Sequence, residues 1–249
     1  MDTVKRILIM GATSGIGLEL AKLCIAKGWR VGIAGRRAEP LEKLRQSAPS
    51  QVVAGCIDVT RESSAADMLQ LVENMGGMDI YCHVSGIGAQ NPTLDPAVEL
   101  RTMETNVMGF TRMVTAAYNY FAQRGGGQIA VVSSIAGTKG LGSATAYSAS
   151  KRLQNTYLDA LSQLAHMRKL KITFTDIRPG FVATDLLNKE HHYPMLMPLL
   201  PVARKVFRAI EHRRRRVIID WRFAILVFFW RLIPAGLWER MPVSVIKNE

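Results

Sequence analysis

Tyr147 and Lys151, four residues apart in Tyr147-Ser148-Ala149-Ser150-Lys151, have the side chains for shared acid–base chemistry. On a helix that spacing puts both on one face. A free phenol titrates at about 10 and exchanges protons sluggishly at neutral pH. An ammonium beside it favours the phenolate and brings its pKa towards the working range. Ser133 and Ser134 close a strand-like run ahead of the pair, and a hydroxyl there could hold a carbonyl oxygen. The bland alternative is a helix that carries an aromatic ring and a solvated lysine.

A second group of residues is suited to phosphate. The first strand-like run leads directly into Gly11-Ala12-Thr13-Ser14-Gly15-Ile16-Gly17. A glycine-rich turn between strand and helix lets backbone N–H groups approach a pyrophosphate at the positive helix end. The spacing is GxxxGxG, and no Gly-Lys-Ser/Thr follows, which disfavours a phosphate-loop NTPase. An ordinary tight turn is the alternative, but the order strand, loop, helix favours a dinucleotide. The second strand ends in Gly35-Arg36-Arg37, where NAD enzymes place a carboxylate and NADP enzymes an arginine. Guanidinium groups pair well with a phosphate dianion. NADP(H) is therefore expected, with Arg36 as the main contact and Arg37 beside it, and NAD(H) as the alternative. The rival reading of both arginines is a solvated helix cap. Asp58, after the third strand, is placed either to meet the adenine edge or to serve as a turn residue.

Taken together, these motifs resemble the short-chain dehydrogenase/reductase family in its compact form. The matching residues are Gly11, Gly15 and Gly17, Asp58, Asn106 in Thr105-Asn106-Val107-Met108-Gly109, Ser134, Tyr147, Lys151, Pro179-Gly180 and Thr184. The likeness spans residues 5–185, with the motifs in the family's order. It implies that Tyr147 is the general acid in carbonyl reduction and that Ser134 steadies the oxygen. Lys151 would lower the phenol pKa and hold the nicotinamide ribose, and Asn106 would position a water linking Lys151 to solvent. Thr13, Ser14, Ile16, Gly86, Pro179, Gly180 and Thr184 would line the cofactor, and Ser133 is the fallback for the serine role. Where the family has Asn-Asn-Ala-Gly, this chain has His83-Val84-Ser85-Gly86. Gly86 still allows close backbone approach. His83 reads as a satisfied core histidine.

The elements that must position these residues are legible as alternation. Residues 6–10, 30–34, 51–57, 78–84, 128–133 and 171–177 are Val/Ile-rich strand candidates, and residues 216–220 supply a last one. Helix-period segments lie between them, notably residues 15–27 and one long run over 96–123. Such alternation implies right-handed βαβ crossovers, a doubly wound α/β fold of Rossmann type. The chain divides into a catalytic domain over residues 1–220, with a substrate lid at 181–201, and an apolar, basic extension over 221–249. Of the 249 residues 48% are apolar and 21% charged, enough for a large core and too apolar for disorder. Cys24, Cys56 and Cys82 are odd in number and scattered, so neither a disulfide scaffold nor a zinc site is expected. Lys5 and Arg6 open a strand rather than a secretory leader, which predicts a cytoplasmic setting.

The lid is rich in Leu and Met (Leu186, Leu187, Met195, Leu196, Met197, Leu199, Leu200), which suits either an apolar substrate or plain helix packing. Glu190, His191 and His192 offer no third ligand in view, so no metal is expected. From residue 199 onward there are eleven basic and four acidic residues, +7 of the chain's +12. The run Arg213–Arg216 is followed by an apolar stretch, Phe223 to Trp238, too short and broken to span a bilayer. Residues 213–238 could lie in a membrane interface or pack on the body or a second subunit. Without a base-stacking platform near the arginines, nucleic acid is not an expected partner. The function expected is an NADP(H)-dependent oxidoreductase that interconverts a carbonyl and a secondary alcohol. The rival is a catalytically idle NADP-binding sensor or scaffold. The family resemblance adds a homodimer or homotetramer, paired through helices beginning near Pro96 and Thr145.

Overall fold

The computed structural model describes residues 4–187 and 193–243. Seven strands form the sheet: β1 (Arg6–Met10), β2 (Arg30–Gly35), β3 (Val52–Cys56), β4 (Ile80–His83), β5 (Gly127–Val132), β6 (Ile172–Pro179) and β7 (Arg216–Ile219). Their order is β3-β2-β1-β4-β5-β6-β7, every pair parallel. Ile7 pairs with Val31 on one side and Ile80 on the other, so β1 is an interior strand beside the central β4. Ile7, Leu8, Ile9 and Met10 are fully buried, as a strand covered on both faces requires. This is the doubly wound sheet expected. The strands differ from expectation at their ends by one or two residues, and β6 runs on to Pro179 and so carries that residue to the sheet's carboxyl edge.

Helices cover both faces. On one side α1 (Gly15–Ala26), α2 (Ala38–Ser47), α7 (Leu199–Glu211) and α8 (Trp221–Leu232) bury Leu20, Leu41, Val206 and Phe223 against Ile7, Ile9 and Val31. On the other, α3 (Ser64–Asn74), α5 (Phe110–Gln123) and α6 (Thr145–Met167) bury Met68, Phe110 and Leu158 against Leu8, Met10 and Ile129. Short α4 (Pro96–Met103) precedes α5, and α9 (Ala235–Trp238) follows α8. Pro at the first turn and an Asp95 side chain that accepts from Ala97 N start α4.

The structure refines one element. The helical run over 96–123 is unbroken, but Glu104–Gly109 winds as a π-helical turn between α4 and α5. Widened turns of this kind frequently mark functional sites. This one carries Asn106, buried and facing α6.

The extension is also built into the body. Phe223 and Val227 of α8 join the first core, and Trp230 packs against it. Trp230 Nε1 donates to Thr138 Oγ1 (2.9 Å) and Trp238 Nε1 to the Gly140 carbonyl (2.7 Å).

Candidate active site

The carboxyl edge of the sheet opens into one cleft of about 2220 Å3. That exceeds the roughly 300–1,000 Å3 typical of a single small ligand. It lies where the strand order reverses between β1 and β4, the position at which open α/β sheets bind ligands. Gly11 makes the turn out of β1 at φ +100°, and a Cβ there would stand 2.6 Å from Ser85 N. Only glycine fits both demands. Ser14 precedes α1 without a side-chain cap, so first-turn N–H groups stay available to an anion. Across the loop, Thr184 Cγ2 lies 3.4 Å from where a Cβ on Gly15 would be. Thr13, Ser14, Gly15, Ile16, Asp58, Gly86, Pro179, Gly180 and Thr184 all line the cleft, whereas Gly17 packs behind it against Gly11.

Both arginines line the cleft, and they differ in posture. Arg37 Nη2 donates to Thr13 Oγ1 (3.0 Å) and Ser14 Oγ (2.7 Å), which ties the guanidinium to the glycine loop. Arg36 stands near Asp58. Burial works to raise the Asp58 carboxyl, but hydrogen bonds from Thr60 N (3.1 Å) and Thr60 Oγ1 (2.9 Å), aided by Arg36 and Arg61, hold it below its ordinary range. Asp58 thus makes a turn and also faces the cleft. A loop with free helix amides, a tethered guanidinium and a glycine turn fits a dinucleotide phosphate chain.

At the other end of the cleft, α6 presents Tyr147 and Lys151 on one face beside Ser134. Burial raises the Tyr147 phenol above its usual 10, against a hydrogen bond with Ser134 that lowers it. The Lys151 ammonium stands 5.7 Å from the centre of the Tyr147 ring. Burial brings Lys151 itself down to about 8, with Asp176 opposing. Lys151 Nζ donates to the Val132 carbonyl (3.3 Å) and Gln154 Oε1 (3.1 Å). A Cβ on Gly86 would come within 3.5 Å of that Nζ, so the glycine leaves the lysine room. Ser134, not Ser133, faces the phenol. Ser133 Oγ is turned to Asp176 Oδ1 (2.5 Å), in a buried group with Asn155 and Arg178.

Asn106 is in the same cluster. Its side chain clamps Ile87, accepting from its N (2.9 Å) and donating to its carbonyl (2.7 Å), and also donates to Ser150 Oγ (3.1 Å). Its backbone carbonyl accepts from Gln154 Nε2 (3.0 Å). Lys151 and Asn106 are therefore bridged by the fully buried Gln154 amide. Sequence reasoning passed over Gln154. Its one signal was a glutamine three residues after Lys151, on the lysine's own face. His83 is half satisfied: Nδ1 pairs with Tyr81 Oη (2.8 Å), Nε2 has no partner among the described residues, and burial pushes its pKa down to about 3.

The lid divides. Leu186, Leu187 and Met195 line the cleft, whereas Met197 bridges to Val182 and is core, and Leu199 begins α7. Glu190, His191 and His192 lie outside the described residues. Among the described residues no group of three or more His, Cys, Asp or Glu side chains could hold a metal. The extension supplies a wall that the sequence left open: Phe223, Leu226, Phe229, Trp230, Ile233 and Trp238 face the cleft.

Comparison with known proteins agrees with this architecture. The model of the short chain dehydrogenase family matches residues 5–193. An uncharacterized oxidoreductase of Myxococcus xanthus is 30% identical over 240 residues, covering 93% of this chain and 94% of that protein. Dehydrogenase/reductase SDR family member 7B of Bos taurus is 28% identical over 269 residues, covering 98% and 82%. The structure of ElxO with NADP bound superposes with a TM-score of 0.78 at 20% identity, covering 90% of this chain and all of that one. A glycine turn at the sheet's switch point, a Ser-Tyr-Lys cluster in the same cleft and a family match over most of the length converge: the chain belongs to the short-chain dehydrogenase family and is an NAD(P)-dependent oxidoreductase.

Proposed function

We propose that the protein interconverts a carbonyl and a secondary alcohol on an apolar substrate with NADP(H), Tyr147 acting as general acid and base. The observation that carries this reading is the continuity of one cleft from Gly11, Thr13 and Arg37 to Ser134, Tyr147 and Lys151. A bound nicotinamide supplies the hydride to the carbonyl carbon. In that direction Ser134 Oγ donates to the carbonyl oxygen, and Tyr147 Oη passes its proton to it as negative charge develops there. Lys151 then restores the phenol from its ammonium, and the high phenol pKa keeps the proton on Tyr147 until it is needed. In the reverse direction the ammonium stabilises the phenolate that accepts the alcohol proton.

The first-turn amides of α1 would take the pyrophosphate. Arg37 and Arg36 would take the 2′-phosphate, Arg37 being already aligned along the loop. ElxO, of the same fold, holds NADP. Leu186, Leu187, Met195, Leu226 and Phe229 make the substrate end apolar. Exposed Leu100, Met108, Leu164 and Met167, along α4, the π turn and α6, favour homo-oligomeric pairing on that side.

The test is oxidation of NADPH and NADH over a panel of apolar ketones by wild type and Tyr147→Phe. Turnover with NADPH is expected to exceed that with NADH, and the variant to lose roughly 100-fold or more in kcat while still binding NADPH. Turnover of Tyr147→Phe within a few-fold of wild type would remove the acid, and an inert wild type across the panel would favour the binding-module reading.

A further inference from the structure

The outer face of α8 has the wrong chemistry for water. Phe223, Val227 and Trp230 pack inward, as the inner stripe of a surface helix should. The opposite stripe should then be polar. It consists instead of Trp221, Ile225, Phe228, Phe229 and Leu232, at helical spacings of 4, 3, 1 and 3, with 70%, 48%, 63%, 61% and 65% of their surfaces exposed. No charged residue interrupts this stripe, since Arg222 and Arg231 project from the flanks between the two apolar faces. Leu237 (57% exposed) continues it onto α9. A helix apolar all round is normally buried. This one is buried on half its circumference.

Beside the stripe lies a small, mainly polar notch of about 360 Å3, lined by Thr138, Lys139, Gly140, Arg152 and Arg231. Three cations converge there, and no carboxylate lines it. Lys139 Nζ is fixed by the Ile233 carbonyl (2.7 Å) and lies 5.4 Å from the centre of the Trp238 ring. The large cleft also reaches this face, through Leu226, Phe229, Ile233 and Trp238.

We infer that the α8–α9 face docks on an anionic lipid bilayer, with the aromatic stripe in the headgroup–acyl boundary and the Lys139/Arg152/Arg231 notch on lipid phosphates. Charge selects this occupant. Interfacial helices join apolar and aromatic residues to basic ones that meet anionic headgroups. A second copy fits less well: an isologous pair brings like surfaces together, so basic rims would meet across the axis in a chain of net charge +12. Docking is peripheral. At 12 residues α8 is about 18 Å long, short of the roughly 30 Å hydrocarbon core. No helix among the described residues is long and apolar enough to cross a membrane. Because the cleft opens on the docked face, a substrate dissolved in the bilayer would enter without crossing water. That last step rests on the proposed reductase activity; the docking does not.

The experiment is co-sedimentation of the full chain with liposomes of phosphatidylcholine alone, or with about one-third phosphatidylglycerol. Wild type is expected in the pellet with anionic vesicles at low salt, at least several-fold enriched over neutral ones, with the enrichment lost at high salt. Ile225→Ser with Phe228→Ser, neither residue lining the cleft, should return the protein to the supernatant while melting temperature and turnover of a water-soluble ketone hold. Arg231→Glu should abolish the preference for anionic vesicles, and inorganic phosphate should not compete. Wild type that stays in the supernatant with both vesicles overturns the docking. So does a double variant that still pellets, or one that changes the mass in solution, which would assign the stripe to a second copy. Failure of ketone turnover bears only on the activity and leaves the vesicle result to stand alone.

Discussion

At the scale of single residues, the site is a set of protons held in unusual places by burial. Lys151, brought down to about 8, loses its charge well below a free lysine. The proposed carbonyl reduction needs the ammonium, so kcat/KM for reduction should fall as pH rises through about 8. A flat reduction profile between about pH 7 and 9 would contradict this assignment. Gln154 holds the ammonium from behind, accepting from Lys151 and donating to the Asn106 carbonyl. Gln154→Leu removes an acceptor from the ammonium, and kcat should drop roughly tenfold as the descending limb moves to lower pH. Gln154→Glu places a carboxylate beside the ammonium, which must move the limb upward. A purely structural glutamine would lower activity in both variants without moving either limb. Gln154 was hard to find in the sequence because a glutamine on a helix is normally solvated. Only the π turn, which swings the Asn106 carbonyl towards α6, makes it a partner.

At the scale of elements, α8 is tied to the site through Gly180. Phe223 fills the space that a side chain on Gly180 would take, and its ring lies 6.2 Å from Phe181 at the start of the lid. Phe223→Ala should cost about 3–5 kcal/mol and lower Tm by roughly 10 °C. It should also raise KM for an apolar ketone while leaving KM for NADPH near wild type, as steady-state kinetics would reveal. The strands were the most legible elements, because a central parallel strand reads as a continuous Val/Ile run such as Arg6–Met10. The glycine loop, Ser134, Tyr147 and Lys151 were legible from spacing, and the structure gathers them in one cleft. The π turn was not. Glu104–Gly109 carries no proline and one glycine only at its end, and Asn106 holds the widened turn by its bonds to Ile87 and Ser150. The path of α8 was equally opaque: a segment apolar on every side has no periodic stripe to say which face turns inward.

At the scale of the whole molecule, a net charge of +12 works together with the open helix amides of α1. A polyanionic dinucleotide is drawn to such a surface at long range, an attraction that salt screens. Ligand at about 100 times its Kd contributes about 2.7 kcal/mol to folding, so saturating NADP should raise Tm by roughly 5–10 °C. NAD at equal concentration should raise it less, with the gap narrowing in Arg36→Ala and Arg37→Ala. Equal shifts by the two dinucleotides, followed by thermal melting, would argue against recognition of the 2′-phosphate.

Phe223 seated on Gly180 also bears on how a protein of this shape diversifies. The nucleotide end is made from the first half of the chain, while part of the opposite wall is supplied by the last thirty residues. Exchanging that terminal segment between relatives should therefore retune which substrates are accepted without disturbing the nucleotide end. Trimming the chain at Asp220 would yield an oxidoreductase with a missing wall, leaky to solvent, rather than a smaller working one.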